Sequence, residues 1–304
     1  MKKMMKVATF VAMVLTAGFA SCQEKIPDYL IVDGTTLTGY TDGMPANLVI
    51  PKGITKIADE AFEDCELLES VTIPKSVTAI GESAFYGCAS LTNVTIPNGV
   101  TAIGECAFSD CASLTSVRIP GSVTEIGTGA FWGCESLTSV TIPKNVTEIG
   151  DDAFYGCEII AVTYEGSLKD WCAVDWDSDL IEYAERIVLS DGTDLKKLTK
   201  ITASDLAGVT KIGKYAFAGC DSLASVIIPS SVTTIGEDAF DDCDSLASVQ
   251  YGGTKKQWEA IDCDEDDIGL PRGVTISCTD GNIRLKTSAE IYEETARTLR
   301  RLSR

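Results

Sequence analysis

The sequence predicts a mainly β repeat solenoid of the α/β repeat class, with 23-residue turns that each lay one short strand on a parallel concave sheet. Three observations predict it. Pro51, Pro74, Pro97, Pro120 and Pro143 stand 23 residues apart. Ala-Phe pairs ending at Phe62, Phe85, Phe108, Phe131 and Phe154 keep the same step, as do Cys65, Cys88, Cys111, Cys134 and Cys157. The series resumes with Phe217 and Phe240, and with Cys220 and Cys243. Self-similarity at a fixed period of this length marks a stacked-repeat architecture.

One unit, Ser90 to Ala112, reads SLTNVTIPNGVTAIGECAFSDCA. Leu91, Val94 and Ile96 have the spacing of a strand that turns alternate side chains inward, while Asn93 and Thr95 face solvent. Pro97 ends that strand because it has no N–H for a ladder. Val100 and Ile103 bring the chain back to the core, and Gly104 permits the bend that follows. Ala107 and Phe108 plug the outer side before Cys111 leads into the next leucine, Leu114. A unit of this size cannot bury its apolar face alone, so neighbouring units must stack into one continuous core.

A longer period overlies the first. Val162-Thr163-Tyr164-Glu165-Gly166, Trp171 and Asp191-Gly192 recur as Val249-Gln250-Tyr251-Gly252-Gly253, Trp258 and Asp280-Gly281. The Tyr and Trp positions are 87 residues apart, so each block of repeats ends in a Trp-bearing module. Tyr164 and Tyr251 take the strand position that isoleucine holds elsewhere. Upstream, Tyr29 to Gly34 followed by Thr36-Leu37 predicts a hairpin on an Asp-Gly turn that caps the first repeat. Near the end, a Thr-x-x-Glu start at Thr287 and the basic Arg297, Arg300, Arg301 and Arg304 suit a short terminal helix whose dipole is complemented at both ends. The alternative for that tail is a helix that docks on a partner.

The organisation follows. Residues 1–21 form a signal peptide, 22–46 a lipid-anchor linker and capping hairpin, and 47–164 five repeats. Residues 165–192 form the first Trp module, 193–251 the second repeat block, 252–283 the second Trp module and 284–304 the C-terminal tail. The leader rests on a basic MKKMMK start followed by 14 apolar residues, Val7 to Ala20. That stretch is too short to span a bilayer, which needs roughly 20 residues. Phe19-Ala20-Ser21-Cys22 resembles a bacterial lipobox, which would make Cys22 the lipidated first residue of an exported, surface-located protein. Phe19 stands where leucine is usual, so cleavage after Ala20 and simple secretion is the alternative.

Charge and composition remove several function classes. The chain has 25 Lys and Arg against 45 Asp and Glu, a net −20. Losing Lys2, Lys3 and Lys6 with the leader leaves 22 basic residues and a net −23. Nucleic acid and anionic membrane surfaces both need basic patches, so membrane contact is expected through the lipid alone. There is no histidine. Ser-His-Asp and Cys-His catalysis and His-based zinc sites are therefore excluded. No carboxylate pair stands out from the repeat pattern as an acid–base couple, and neither an enzymatic activity nor a cofactor is predicted.

The pattern Ile119-Pro120-Gly121-Ser122-Val123-Thr124-Glu125-Ile126-Gly127, continued by Ala130-Phe131-Trp132-Gly133-Cys134-Glu135-Ser136-Leu137, resembles the BspA-like, treponemal-type bacterial leucine-rich repeats. Gly253-Thr254-Lys255-Lys256-Gln257-Trp258 and Cys278-Thr279-Asp280-Gly281 resemble the same family, and the likeness spans Tyr29 to Ile283. The resemblance implies a right-handed leucine-rich-repeat horseshoe. It also implies a surface protein that attaches to host matrix proteins or to other microbes. Fold carries over from such a resemblance better than function.

The first candidate site is the concave strand face. Its outward positions are Ser70, Thr72, Asn93, Thr95, Ser116, Arg118, Ser139, Thr141 and Thr163, then Ser225, Ile227, Ser248 and Gln250. They make a nearly uncharged Ser/Thr surface on an acidic protein. Seven rows at about 4.8 Å cover roughly 30–35 Å, enough for a protein partner or an extended chain. The plainer reading is that Ser and Thr merely solvate a β surface. Two other functions stay open: a structural envelope lipoprotein without a diffusible ligand, and a glycan binder using Trp171 and Trp258. Matched places in two modules favour packing for those tryptophans.

The cysteine column reads as buried thiols, and the 11 cysteines after Cys22 are odd in number, so they cannot all pair. Cys263 and Cys278 are the pair to test for a disulfide. The acidic run Asp262, Asp264, Glu265, Asp266 and Asp267 lacks the order of a calcium loop and reads as a solvated loop.

Overall fold

The alternation of apolar and polar residues becomes an alternation of burial. Val94, Ile96, Val117, Ile119, Val140 and Ile142 are buried, whereas Asn93, Thr95, Ser116 and Arg118 are exposed. The computed structural model describes residues 25–263 and 268–285, with Cys263 described by its backbone alone. The leader, Cys22, Asp264 to Asp267 and the tail from Thr287 lie outside the described residues, as does the Cys263 side chain with its suggested pairing to Cys278. The chain forms a mainly β solenoid of about 10 turns with parallel sheets.

β1 (Leu30–Asp33) and β2 (Thr36–Tyr40) make the antiparallel hairpin expected from the Asp-Gly turn. The repeats then supply β3 (Asn47–Val49), β4 (Lys56–Ile57), β5 (Ser70–Thr72), β6 (Ala79–Ile80) and β7 (Asn93–Thr95). β8 (Ala102–Ile103), β9 (Ser116–Arg118), β10 (Glu125–Ile126), β11 (Ser139–Ile142), β12 (Glu148–Ile149) and β13 (Ala161–Tyr164) follow. The first Trp module holds α1 (Leu168–Trp171), α2 (Ser178–Glu182) and β14 (Arg186–Val188). The second block holds β15 (Lys200–Ile201), β16 (Lys211–Ile212), β17 (Ser225–Ile228), β18 (Thr234–Ile235) and β19 (Ser248–Tyr251). α3 (Lys255–Trp258), β20 (Asp262–Cys263), β21 (Thr275–Cys278) and β22 (Gly281–Arg284) complete the described chain.

Within each ladder the predicted strands pair in parallel and in the repeat's own register, as in Ser70 opposite Asn93 and Ser139 opposite Ser116. Each turn also carries a second, two-residue strand around the Val-Thr-x-Ile motif. β2, β4, β6, β8, β10 and β12 form that second ladder in order. The hairpin therefore caps the second ladder, through Leu37 opposite Ile57, rather than the edge of β3.

A third line of bonds joins the phenylalanine turns. The N–H groups of Phe62, Phe85, Phe108 and Phe131 donate to the carbonyls of Ala84, Ala107, Ala130 and Ala153, each at 2.8 Å. Their rings stack, with centroids 5.1 Å apart for Phe85 and Phe108 and 5.5 Å for Phe108 and Phe131. Tyr40 of the hairpin extends the stack onto Phe62 at 5.7 Å.

The cysteines sit beside the rings. The Cys88, Cys111 and Cys134 thiols donate to the carbonyls of Phe62, Phe85 and Phe108, at 3.3, 3.3 and 3.1 Å. All ten cysteines with described side chains are free. Gly104 has a sharper role than a bend. A Cβ there would lie 2.6 Å from the backbone carbon and oxygen of Gly81, so only glycine lets successive turns approach this closely.

The first Trp module bridges the two blocks. Trp171 is wholly buried, and its indole N–H donates to the Ala216 carbonyl at 2.7 Å. That carbonyl matches the acceptors of the phenylalanine ladder, so a side chain replaces a missing backbone donor. Gly213 donates to the Cys172 carbonyl at 2.9 Å, and Lys211 pairs with Asp175 at 2.6 Å. Helices α1 and α3 each start with a capping box, Ser167 with Asp170 and Thr254 with Gln257.

Asp177 lies buried in the joint, where it accepts the N–H groups of Leu180 at 3.0 Å and Ala153 at 3.1 Å. Burial pushes its carboxyl up to about 6, and Asp179 and Asp152 add to the effect against the two backbone donors. A carboxyl raised above its unfolded value holds its proton better in the folded state. Its contribution to stability is full below about pH 4 and is lost as the pH climbs toward 6, by up to about 3 kcal/mol. Asp177→Asn should flatten the urea midpoint across pH 4–6. An identical slope in the variant would remove Asp177 as its source.

Candidate functional site

Alternation along β3 to β13 puts one set of side chains on the outer strand face. Thr72, Asn93, Thr95, Ser116, Arg118 and Thr163 are exposed there, and Ser70, Ser139 and Thr141 are half-buried. In the second block Ser248 and Gln250 are exposed, while Ser225 and Ile227 are half-buried. The structure thus places every predicted face residue outward. It also divides the strands into three ladders: β3-β5-β7, β9-β11-β13-β14 and β15-β17-β19-β21-β22.

At the first division the two strands stay neighbours without ladder pairing. β7 pairs with β5 and β9 with β11, and no ladder joins β7 to β9. A cleft of about 470 Å³ lies at that step, and Asn93, Thr95, Ser116 and Arg118 line it. Its floor is apolar, from Val94, Ile96, Pro97 and Pro120. Arg118 reaches across the next turn to Glu165, with Nη2 to Oε1 at 2.6 Å. Lys75 and Asn98 also line the cleft, and sequence reasoning passed over both. Their signal was position alone, directly after the prolines that end the strands.

The glycan reading through Trp171 needs correction, because that ring is wholly buried. It stacks on Trp176 at 3.7 Å, and Tyr164 packs edge-on against it at 5.3 Å. Trp258 is half-buried against Tyr251 at 5.3 Å. The exposed aromatic pair is instead Trp132, 40 % exposed, and Tyr155, 49 % exposed, with ring centroids 6.2 Å apart. Both directly follow a core phenylalanine, a position that varies from turn to turn. Among the described residues no group of three or more His, Cys, Asp or Glu could hold a metal ion.

The family model for the BspA type leucine rich repeat region matches residues 45–171 and 193–260, in six copies. The chain belongs to this family. A leucine-rich-repeat protein of Treponema pallidum is similar in structure at 24 % identity, covering 73 % of this chain and 91 % of its own, with a TM-score of 0.46. A leucine rich cell surface protein of Faecalibacterium prausnitzii matches at 23 % identity over 82 % of this chain and 100 % of its own, with a TM-score of 0.41. No curated protein matches the sequence. In this BspA-type chain the family-matched residues include every residue that lines the cleft.

Proposed function

We propose that this chain is an exported lipoprotein, tethered to the bacterial envelope through Cys22, that binds a protein partner through the concave strand face of its solenoid. The supporting observation is that face itself. It is a broad, nearly uncharged surface of Ser, Thr and Asn, opened by one cleft, on a chain with a net charge of −20. Low charge lowers the desolvation cost of covering it. Binding rather than catalysis fits a chain that has no histidine. A second reading, glycan binding, is favoured by the exposed Trp132 and Tyr155 pair, since aromatic rings offer apolar faces to sugars.

The test is binding of the purified protein to matrix proteins, bacterial cells and glycans, beside a variant carrying Thr95→Glu, Ser116→Glu and Thr141→Glu. Three buried like charges should weaken a partner on this face by at least about a hundredfold. Binding that survives the triple variant moves the site away from the strands. An absence of binding across the panel favours a structural role in the envelope.

A further inference from the structure

We propose that the middle of the concave face, where β14 ends one ladder and β15 begins the next, takes an acidic segment of the protein partner. This rests on the strand-face reading above and deepens it to a partner chemistry.

The sign of the charge is the first ground. Pairing register places Arg186 in the outward row of Ser116, Ser139 and Ala161, and Lys200 in that of Ser225 and Ser248. Both side chains are exposed. On the parallel strands of the three ladders the charged outward residues are Arg118, Arg186 and Lys200. None is acidic, although the chain holds 45 Asp and Glu. Sequence reasoning passed over Arg186 and Lys200 because both lie outside the regular 23-residue step.

The second ground is how the cations are held. Arg186 Nε and Lys197 Nζ pair with the same oxygen of Asp194, at 3.4 and 3.2 Å. The Asp194 side chain is 11 % exposed, whereas those of Arg186 and Lys197 are 59 and 75 % exposed. The anion is sunk and the cations stand out, so an approaching surface meets positive charge. Lys200 makes no ion pair among the described residues. Arg118 is tied to Glu165 at 2.6 Å and has no part in this spot. A short acidic segment is complementary to it, while a long polyanion would run on into the repulsion of an acidic chain. No aromatic ring stands at an outward position of these strands for a sugar to stack on, which favours an acidic peptide over an acidic glycan.

The experiment titrates the ¹⁵N-labelled mature chain with acetyl-Gly-Glu-Gly-Glu-Gly-amide, its glutamine counterpart and a hyaluronan tetrasaccharide. The expected result is saturable shifts centred on residues 186–188 and 197–200 with the glutamate peptide, weakening as salt is raised. Affinity should fall about tenfold or more for the glutamine peptide, and likewise in Lys197→Gln and Lys200→Glu. Both substitutions are of exposed side chains, and an unchanged melting temperature confirms that the fold is kept. Equal binding of the two peptides overturns the charge selection. Tetrasaccharide binding as tight as that of the glutamate peptide overturns the peptide class. Shifts centred elsewhere, or no saturable shifts with any probe, overturn the site. If a panel partner is lost in the triple glutamate variant but held by Lys197→Gln and Lys200→Glu, the strand face stands and the acidic-segment site falls.

Discussion

Trp171→Ala is expected to split thermal unfolding into two transitions. The indole is completely buried, stacked on Trp176 at 3.7 Å and bonded to the Ala216 carbonyl at 2.7 Å. Truncating a buried aromatic costs about 3–5 kcal/mol, and the orphaned carbonyl adds about 1–3 more. In a solenoid that loss falls on one interface between neighbours rather than on the whole fold. The interface here joins the last repeat of the first block, ending at β13, to the turn that holds β16, through the contacts at Ala216, Gly213 and Lys211. Calorimetry should show the wild type melting in one step. In the variant the second block should melt first and the first block near its original temperature. A single transition at the wild-type midpoint would mean the module does not couple the blocks.

Phe108→Ala is expected to destabilise the first block by about 3–5 kcal/mol, read as a lower urea midpoint. Its ring has no exposed surface and lies between Phe85 and Phe131, at 5.1 and 5.5 Å. Removing it leaves a gap in the middle of the stack that neither neighbour can close, because both are held by ladder bonds of 2.8 Å. A change below about 1 kcal/mol would be inconsistent with a close-packed ring column.

Much of this architecture was legible from periodicity. A step of 23 residues located the main strands, and the alternation in Asn93-Val94-Thr95 assigned their faces. The second ladder was less legible, because a two-residue strand such as Ala102–Ile103 is too short to show alternation. The Trp modules hid their helices for a similar reason. α1 and α3 are four residues each, well under the length at which apolar spacing speaks. Their one local signal was the capping box, Ser167 with Asp170 and Thr254 with Gln257. The outer face was predicted residue by residue, but not its cleft. Asn93 and Ser116 carry no mark of whether their two strands pair.

The cysteine column makes the stack a recorder of its own fraying. Burial pushes the Cys172, Cys220 and Cys243 thiols up to about 12. At neutral pH only about one in 10⁵ such groups is a thiolate, the form that alkylating reagents attack. A closed turn is therefore chemically silent. When a turn peels away, its thiol returns to an ordinary acidity near 8.5 and is labelled within its open lifetime. Cys65, Cys111 and Cys134, whose thiols are also raised above their ordinary acidity, add reporters for three turns of the first block. Timed iodoacetamide labelling with peptide mass mapping would then give the order in which the turns open, with the half-buried Cys106 as the in-chain reference.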